Sequence, residues 1–270
     1  MKIYLLNIKR AVAALCVVLS GINLAVAHDF EAGGIFYDIL SADDRTCAVT
    51  FKGETATSVS GETEYNGDVI IPSSVDFESV KYSVIQIKTT AFKQCINLTS
   101  IFIPESVKSI GTSAFQDCSG LTEIVIPDGV SILNGVFSGC SGLLSVTIPA
   151  TVETIGDFTF KNCTSLETIK VLRATPPTIK SSAFSGANLN AVLEVPSESV
   201  VSYQEADYWK NFSEIKGIEL NNGTPTSIET MKAENCGVVE YYNILGVKVE
   251  NPTKGLYIKK CGNKAYKVML

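Results

Sequence analysis

The sequence predicts a mostly β protein, a solenoid of about five coils with N- and C-terminal caps, followed by a small β module. Three observations carry that expectation. Phenylalanines recur at Phe92, Phe115, Phe137, Phe160 and Phe184, in steps of 23, 22, 23 and 24 residues. Cys95, Cys118, Cys140 and Cys163 keep the same beat three residues later. Apolar-Pro corners at Pro72, Pro104, Pro127, Pro149 and Pro196 close strand-like segments, with a long first step of 32 residues and Leu172 where a further proline falls due. A fixed period in the twenties marks units that can bury their apolar faces only against their neighbours, which is the definition of a solenoid.

The elements follow in order. In residues 1–27, Lys2, Lys9 and Arg10 precede an apolar run, and Ala25-Val-Ala ends it with the small-x-small pattern of a signal peptide, so cleavage is expected after Ala27. Residues 28–70 read as a β-rich cap, because Tyr37-Asp-Ile-Leu and Cys47-Ala-Val-Thr-Phe alternate around Asp43-Asp44 and a Gly/Ser/Thr-rich loop follows at 53–63. The 32-residue step leaves room for a hairpin at 76–81. Residues 71–218 hold the solenoid and its C-terminal cap. Leu98-Thr-Ser-Ile-Phe-Ile-Pro, Leu121-Thr-Glu-Ile-Val-Ile-Pro, Leu143-Leu-Ser-Val-Thr-Ile-Pro and Leu166-Glu-Thr-Ile-Lys-Val-Leu are one strand repeated. Its first, fourth and sixth residues face inward, and proline stops it because it lacks the ladder N–H. Shorter extended segments such as Val107-Lys-Ser-Ile-Gly occupy the far side. The fifth coil is degenerate, with Ala187 in the cysteine position. Helical spacing of Val200, Tyr203 and Trp209 then supplies a cap for the last coil. Residues 219–225 read as a linker, and 226–270 as a module of short strands between glycine turns.

Charge excludes some functions. Residues 28–270 carry 19 Lys+Arg (22 less the three of the leader) against 28 Asp+Glu, a net charge of −9. Nucleic-acid binding needs clustered cations to displace counterions, so it is not expected. Beyond the leader, no segment is long and apolar enough to cross a bilayer. Seven cysteines remain after the leader, an odd number. The four in the repeat are expected as a ladder of small buried thiols filling the turn: parallel side chains about 4.8 Å apart do not converge for disulfides. Four rungs also spread too far for one zinc ion. Cys236 and Cys261 remain as a candidate pair in the tail.

The consensus Leu-x-x-Ile-x-Ile-Pro-x-x-Val-x-x-Ile-Gly-x-x-Ala-Phe-x-x-Cys resembles the BspA-like leucine-rich repeat, and residues 103–118 match it almost throughout. That resemblance covers about residues 69–218. It implies a right-handed leucine-rich-repeat solenoid in an exported protein at the cell surface, the outer membrane surface in particular, or in the medium. It also implies adhesion or protein binding, with a host matrix or bacterial surface protein as the ligand. The tail, with Tyr242-Asn-Ile-Leu-Gly and Lys254-Gly-Leu-Tyr-Ile, is similar to type IX secretion sorting domains of Bacteroidetes proteins. Coil three departs from the pattern at Leu133-Asn134, and five coils make a short array.

No catalytic, cofactor or metal set stands out. His28, the only histidine, precedes the fold, so a Ser/His/Asp or Cys/His arrangement has no folded base. The expected binding face is the strand face, because solenoids present extended concave surfaces. Its outward columns read Phe102, Val125, Thr147, Lys170, Glu194 and Ser100, Glu123, Ser145, Thr168, Val192. Phe102 and Val125 are the expected anchors, with Lys170 at the rim. The leading expectation is a non-enzymatic interaction or adhesion protein. The alternatives are a structural or assembly spacer of the envelope and a glycan-binding module.

Overall fold

The computed structural model describes residues 28–51 and 65–219, together with the backbone of the strands at 239–242, 248–249, 256–261 and 264–269. The expected cleavage after Ala27, the loop at 53–63, most of the linker and Cys236, the candidate partner of Cys261, lie outside the described residues. The chain divides into two compact units between Leu220 and Asn221.

The first unit opens with an antiparallel cap. Strands β1 (Phe30–Ala32), β2 (Ile35–Ser41) and β3 (Thr46–Thr50) form a meander. After β4 (Gly67–Ile70) the expected hairpin is present as β5 (Ser74–Phe77) and β6 (Val80–Ile87), with Asp76 opposite Lys81. Glu78 and Ser79 turn it with φ of +48° and +64°, the doubly left-handed geometry that suits a two-residue hairpin. Strand β6 then runs parallel to β3, and Lys88 closes the join with a 2.6 Å ion pair to the buried Asp38.

Each coil that follows contributes a strand to one side and a two-residue extended segment to the other. The first set is β7 (Leu98–Phe102), β9 (Glu123–Val125), β11 (Ser145–Ile148), β13 (Thr168–Val171) and β15 (Val192–Pro196); the second is β8 (Ser109–Ile110), β10 (Ile132–Leu133), β12 (Thr154–Ile155) and β14 (Thr178–Ile179). All pairings between coils are parallel, as a solenoid of one hand requires. Leu98, Leu121, Leu143 and Leu166 are fully buried, as are Val146, Ile148, Ile169 and Val171 on the inward positions of their strands.

The phenylalanines form one continuous pile. Centroid separations are 5.0 Å for Phe92–Phe115, 5.5 Å for Phe115–Phe137, 5.6 Å for Phe137–Phe160 and 5.2 Å for Phe160–Phe184, with planes within 11° of parallel. Tyr65 extends the pile at the front, 4.5 Å from Phe92, and its hydroxyl donates to the Thr50 carbonyl at 2.7 Å. At the back Trp209 and Phe212 meet Phe184 edge-on, at 5.9 and 5.1 Å. The cap that carries them includes the short helix α1 (Val200–Glu205), whose Tyr203 is buried and donates to the Arg173 carbonyl at 2.7 Å. Val200, expected to help cover the last coil, is only partly buried there. Trp209 anchors its indole N–H on the Pro177 carbonyl at 3.0 Å.

The turn after each phenylalanine explains the cysteine beat. Cys118 Sγ donates to the Phe92 carbonyl at 2.9 Å, Cys140 to Phe115 at 3.0 Å and Cys163 to Phe137 at 3.2 Å. Each of those carbonyls also accepts the amide of its own coil's cysteine, at 3.1–3.2 Å. The thiol thus occupies the second acceptor position of a buried carbonyl, which would otherwise be left half-satisfied. Two residues beyond each phenylalanine the chain turns left-handed, at Gln94, Asp117, Gly139, Asn162 and Gly186. That turn aims the amides of Gln94, Asp117, Gly139 and Asn162 at carbonyls of the next coil, at 2.7–2.9 Å. Gly120 and Gly142 lie so close to the preceding coil's backbone, at the Ile96 and Ser119 carbonyls, that a Cβ has no room.

One strand escapes the sequence reading. β16 (Glu214–Ile218) follows the cap and pairs parallel with β15, adding a rung beyond the fifth repeat. Nothing in Glu214-Ile-Lys-Gly-Ile repeats the Leu-x-x-Ile-x-Ile-Pro pattern, so the periodicity cannot reveal it. The second unit is a four-stranded antiparallel sheet. Its strands are β17 (Val239–Tyr242), β18 (Lys248–Val249), β19 (Leu256–Cys261) and β20 (Lys264–Met269), in the order β18-β17-β19-β20.

Two expectations test this packing. The five described cysteines are free and buried. Burial pushes the Cys47 and Cys163 thiols up to about 12 and those of Cys118 and Cys140 well above the ordinary value. Unfolded thiols ionise near pH 8.5, so the folded state is favoured fully below that pH. It loses this advantage as pH rises toward the folded values. Thermal melts should therefore fall above about pH 9, and fall less in Cys140→Ser, which keeps a donor that does not ionise. An equal fall in both proteins contradicts the assignment.

The second concerns Phe158, which is 48% exposed with φ +57°, where the other coils place Thr90, Ser113 and Gly135 in the same left-handed conformation. A bulky residue there is strained. Phe158→Gly should stabilise the protein by about 0.5–1 kcal/mol in denaturant titration, and a loss of stability would show that the ring's contact with Lys161, 5.1 Å away, outweighs the strain.

Candidate functional site

The parallel ladder holds the outward residues of the strand face in two files. Glu123, Ser145, Thr168, Val192 and Glu214 stand side by side, and so do Val125, Thr147, Lys170, Glu194 and Lys216. Because the pairs are parallel and unshifted, successive members of each file lie one strand spacing apart, about 4.8 Å. The files therefore contain the residues expected from the sequence from coil three onward. Glu214 and Lys216 are additions supplied by β16.

Ser100 and Phe102 stand apart from this array. β7 pairs with β4 in a separate two-stranded sheet, Asp68 beside Ser100 and Ile70 beside Phe102. Between β7 and β9 the remaining backbone link is a long 3.4 Å bond from the Thr122 amide to the Thr99 carbonyl. Asp68 accepts from the Ser100 hydroxyl at 2.5 Å and from that of Thr99 at 3.1 Å, so Ser100 is tied to the preceding strand, β4.

The residues of the expected binding face divide by exposure. Val125 is 47% exposed and Glu123 is exposed beside the same strand. Phe102, Ser145 and Thr168 are half-buried. Thr147 is a correction: although it is on the outward side, it is only 8% exposed, enclosed between Val125 and Lys170 in its file. Lys170 is also not a free rim charge, since its ammonium pairs with Glu194 at 3.3 Å and both side chains are largely covered. The exposed members of the two files are thus Glu123 and Val125 on β9 at one end and Glu214 and Lys216 on β16 at the other, with half-buried or covered residues between them.

Among the described residues no group of three or more His, Cys, Asp or Glu is placed to hold a metal ion. His28 lies at the N-terminal cap, its ring 4.7 Å from Phe36. A shallow cavity of about 250 Å³, below the usual small-molecule range, sits between Gly33-Gly34 and Tyr65–Ile70. No helix among the described residues is long and apolar enough to cross a membrane.

Six copies of the BspA type leucine rich repeat region match this chain, over residues 73–190 and 130–251. The chain belongs to that family. The leucine-rich repeat protein of T. pallidum is similar at 24% identity over 70% of this chain and 82% of that one, with a TM-score of 0.51. That likeness shows the shared solenoid fold. A leucine-rich repeat protein from Bacteroides capillosus is 32% identical over 53% of this chain and 96% of its own, with a TM-score of 0.42. Another from Bacteroides ovatus is 23% identical over 63% of this chain, with a TM-score of 0.44. This BspA-type chain spans 60% of the B. ovatus protein's length. No curated protein matches it.

Proposed function

We propose that this BspA-type protein is exported and binds a protein ligand at the bacterial surface, without catalysis. One observation carries the reading. The parallel ladder fixes outward side chains in registered files on a rigid frame, and leaves Val125 47% exposed beside the charged Glu123 at their front. A lone exposed apolar side chain is ordinary on a protein surface; what supports a contact here is that the ladder holds it in fixed register with charged and hydroxyl neighbours. The charged pair Lys170–Glu194, satisfied within the face, sets orientation more than affinity. Export is supported by the leader pattern of residues 1–27, with Ala27 before the cleavage point. In this reading the β module at 226–270 is the sorting module of type IX secretion, and the ligand is a host matrix protein or a surface protein of another bacterium.

Binding of the purified chain to immobilised matrix proteins and to whole bacterial cells tests this. Saturable binding is expected, weakened at least about tenfold by Val125→Asp, with an unchanged melting temperature because the side chain is already half in water. Saturable binding that Val125→Asp leaves unaltered removes the strand face as the site.

A further inference from the structure

Every strand of the parallel ladder from β11 to β15 is flanked on both edges, but β16 is flanked on one. Among the described residues its outer edge has no strand partner, so backbone N–H and C=O groups are presented there for a further strand. The cap that packs on this strand also exposes two apolar side chains among its polar ones. Helix α1 packs on β16. On that helix Val201, two residues from the buried Tyr203 and hence on the opposite side, is 63% exposed. Tyr208, in the same cap, is 41% exposed and held at φ +67°.

The charges at this edge are ordered. Along the outer file the signs run Lys170 positive, Glu194 negative, Lys216 positive, with Lys216 last. Glu214 ends the neighbouring file beside the uncharged Val192. Between these two, Ile215 faces inward in register with Leu193.

We propose that two copies of this chain join through β16, strand to strand and antiparallel, in a closed pair centred on Ile215. In that register each Glu214 stands opposite the partner's Lys216, twice over, and the two Ile215 side chains meet on the inward face. Opposite charges directly across an antiparallel pair are stabilising, and a twofold contact closes on itself. The competing arrangement places β16 against β4 of a following copy. It would continue a parallel ladder, but aligning the inward residues Ile215 and Val69 sets Glu214 beside Asp68, so two carboxylates would meet. Like charges directly across strands are destabilising, and that contact would also grow without closing. The inference does not depend on the ligand-binding reading of the strand face.

Sedimentation of the full chain, with amide exchange of β16 followed against protein concentration, tests it. The expected result is the mass of two chains, with β16 amides slowing as concentration rises. Glu214→Lys should yield one chain with an unchanged melt, since its file neighbour Val192 is uncharged, and Glu214→Lys with Lys216→Glu should restore the pair. A monomeric wild type overturns the proposal, and so does a pair indifferent to Glu214→Lys. Assembly beyond two copies also overturns it, because it is the signature of the head-to-tail contact. So does concentration-independent protection of β16, which would mean that the chain's own tail covers the edge.

Discussion

The pile of aromatic rings along the solenoid axis is the interaction on which the rest depends. No coil has an inside of its own: a unit of about 23 residues cannot enclose its Phe, its Leu and its strand residues, and the neighbour supplies the missing wall. Near-parallel rings at 5.0–5.6 Å set the distance and orientation of successive coils. Such pairs contribute about 0.5–1.5 kcal/mol each beyond the area they bury. The ends need different geometry. A further stacked ring would expose its face, and so Tyr65 closes the front with a hydroxyl bound to backbone, while Trp209 and Phe212 close the back edge-on.

Around that axis the turn solves a second problem. Each coil must reverse direction in few residues while its backbone polar groups stay paired. Left-handed residues before and after the phenylalanine rotate alternate amides toward the next coil, and the thiol of that coil returns a donor to the phenylalanine carbonyl. Cysteine suits the place because it is small, apolar in bulk and still a weak donor. Serine fits the hydrogen bond but not the dry surroundings. Where the cysteine is replaced by Ala187, the Phe160 carbonyl keeps only the amide of Cys163 from its own turn.

Much of this was legible in the sequence because repetition turns a packing requirement into a visible beat. Phenylalanine, cysteine and the Ile-Pro corner each recur because each coil poses the same local problem. The places where the reading fell short are those the beat does not reach. β16 is a rung built from Glu214-Ile-Lys-Gly-Ile, which has neither the leading leucine nor the closing proline. The near-burial of Thr147 and the pairing of Lys170 with Glu194 depend on what stands beside them in neighbouring coils. The interruption between β7 and β9 falls at an ordinary 23-residue step, after a long first step that leaves β4 and β7 paired, so the repeat length carries no sign of it. The face open to a ligand is accordingly more broken than the columns suggested, with Glu123 and Val125 exposed at its front end.

The central claim is that the aromatic pile couples the coils into one cooperative body. Phe137 sits at its midpoint, fully buried between Phe115 and Phe160. Denaturant unfolding of Phe137→Ala, with amide exchange read on both sides of the gap, tests the claim directly. The account predicts a loss of about 3–5 kcal/mol, with β9 and β15 losing protection together. A loss below about 1 kcal/mol, or lowered protection confined to the coil that carries residue 137, would contradict it.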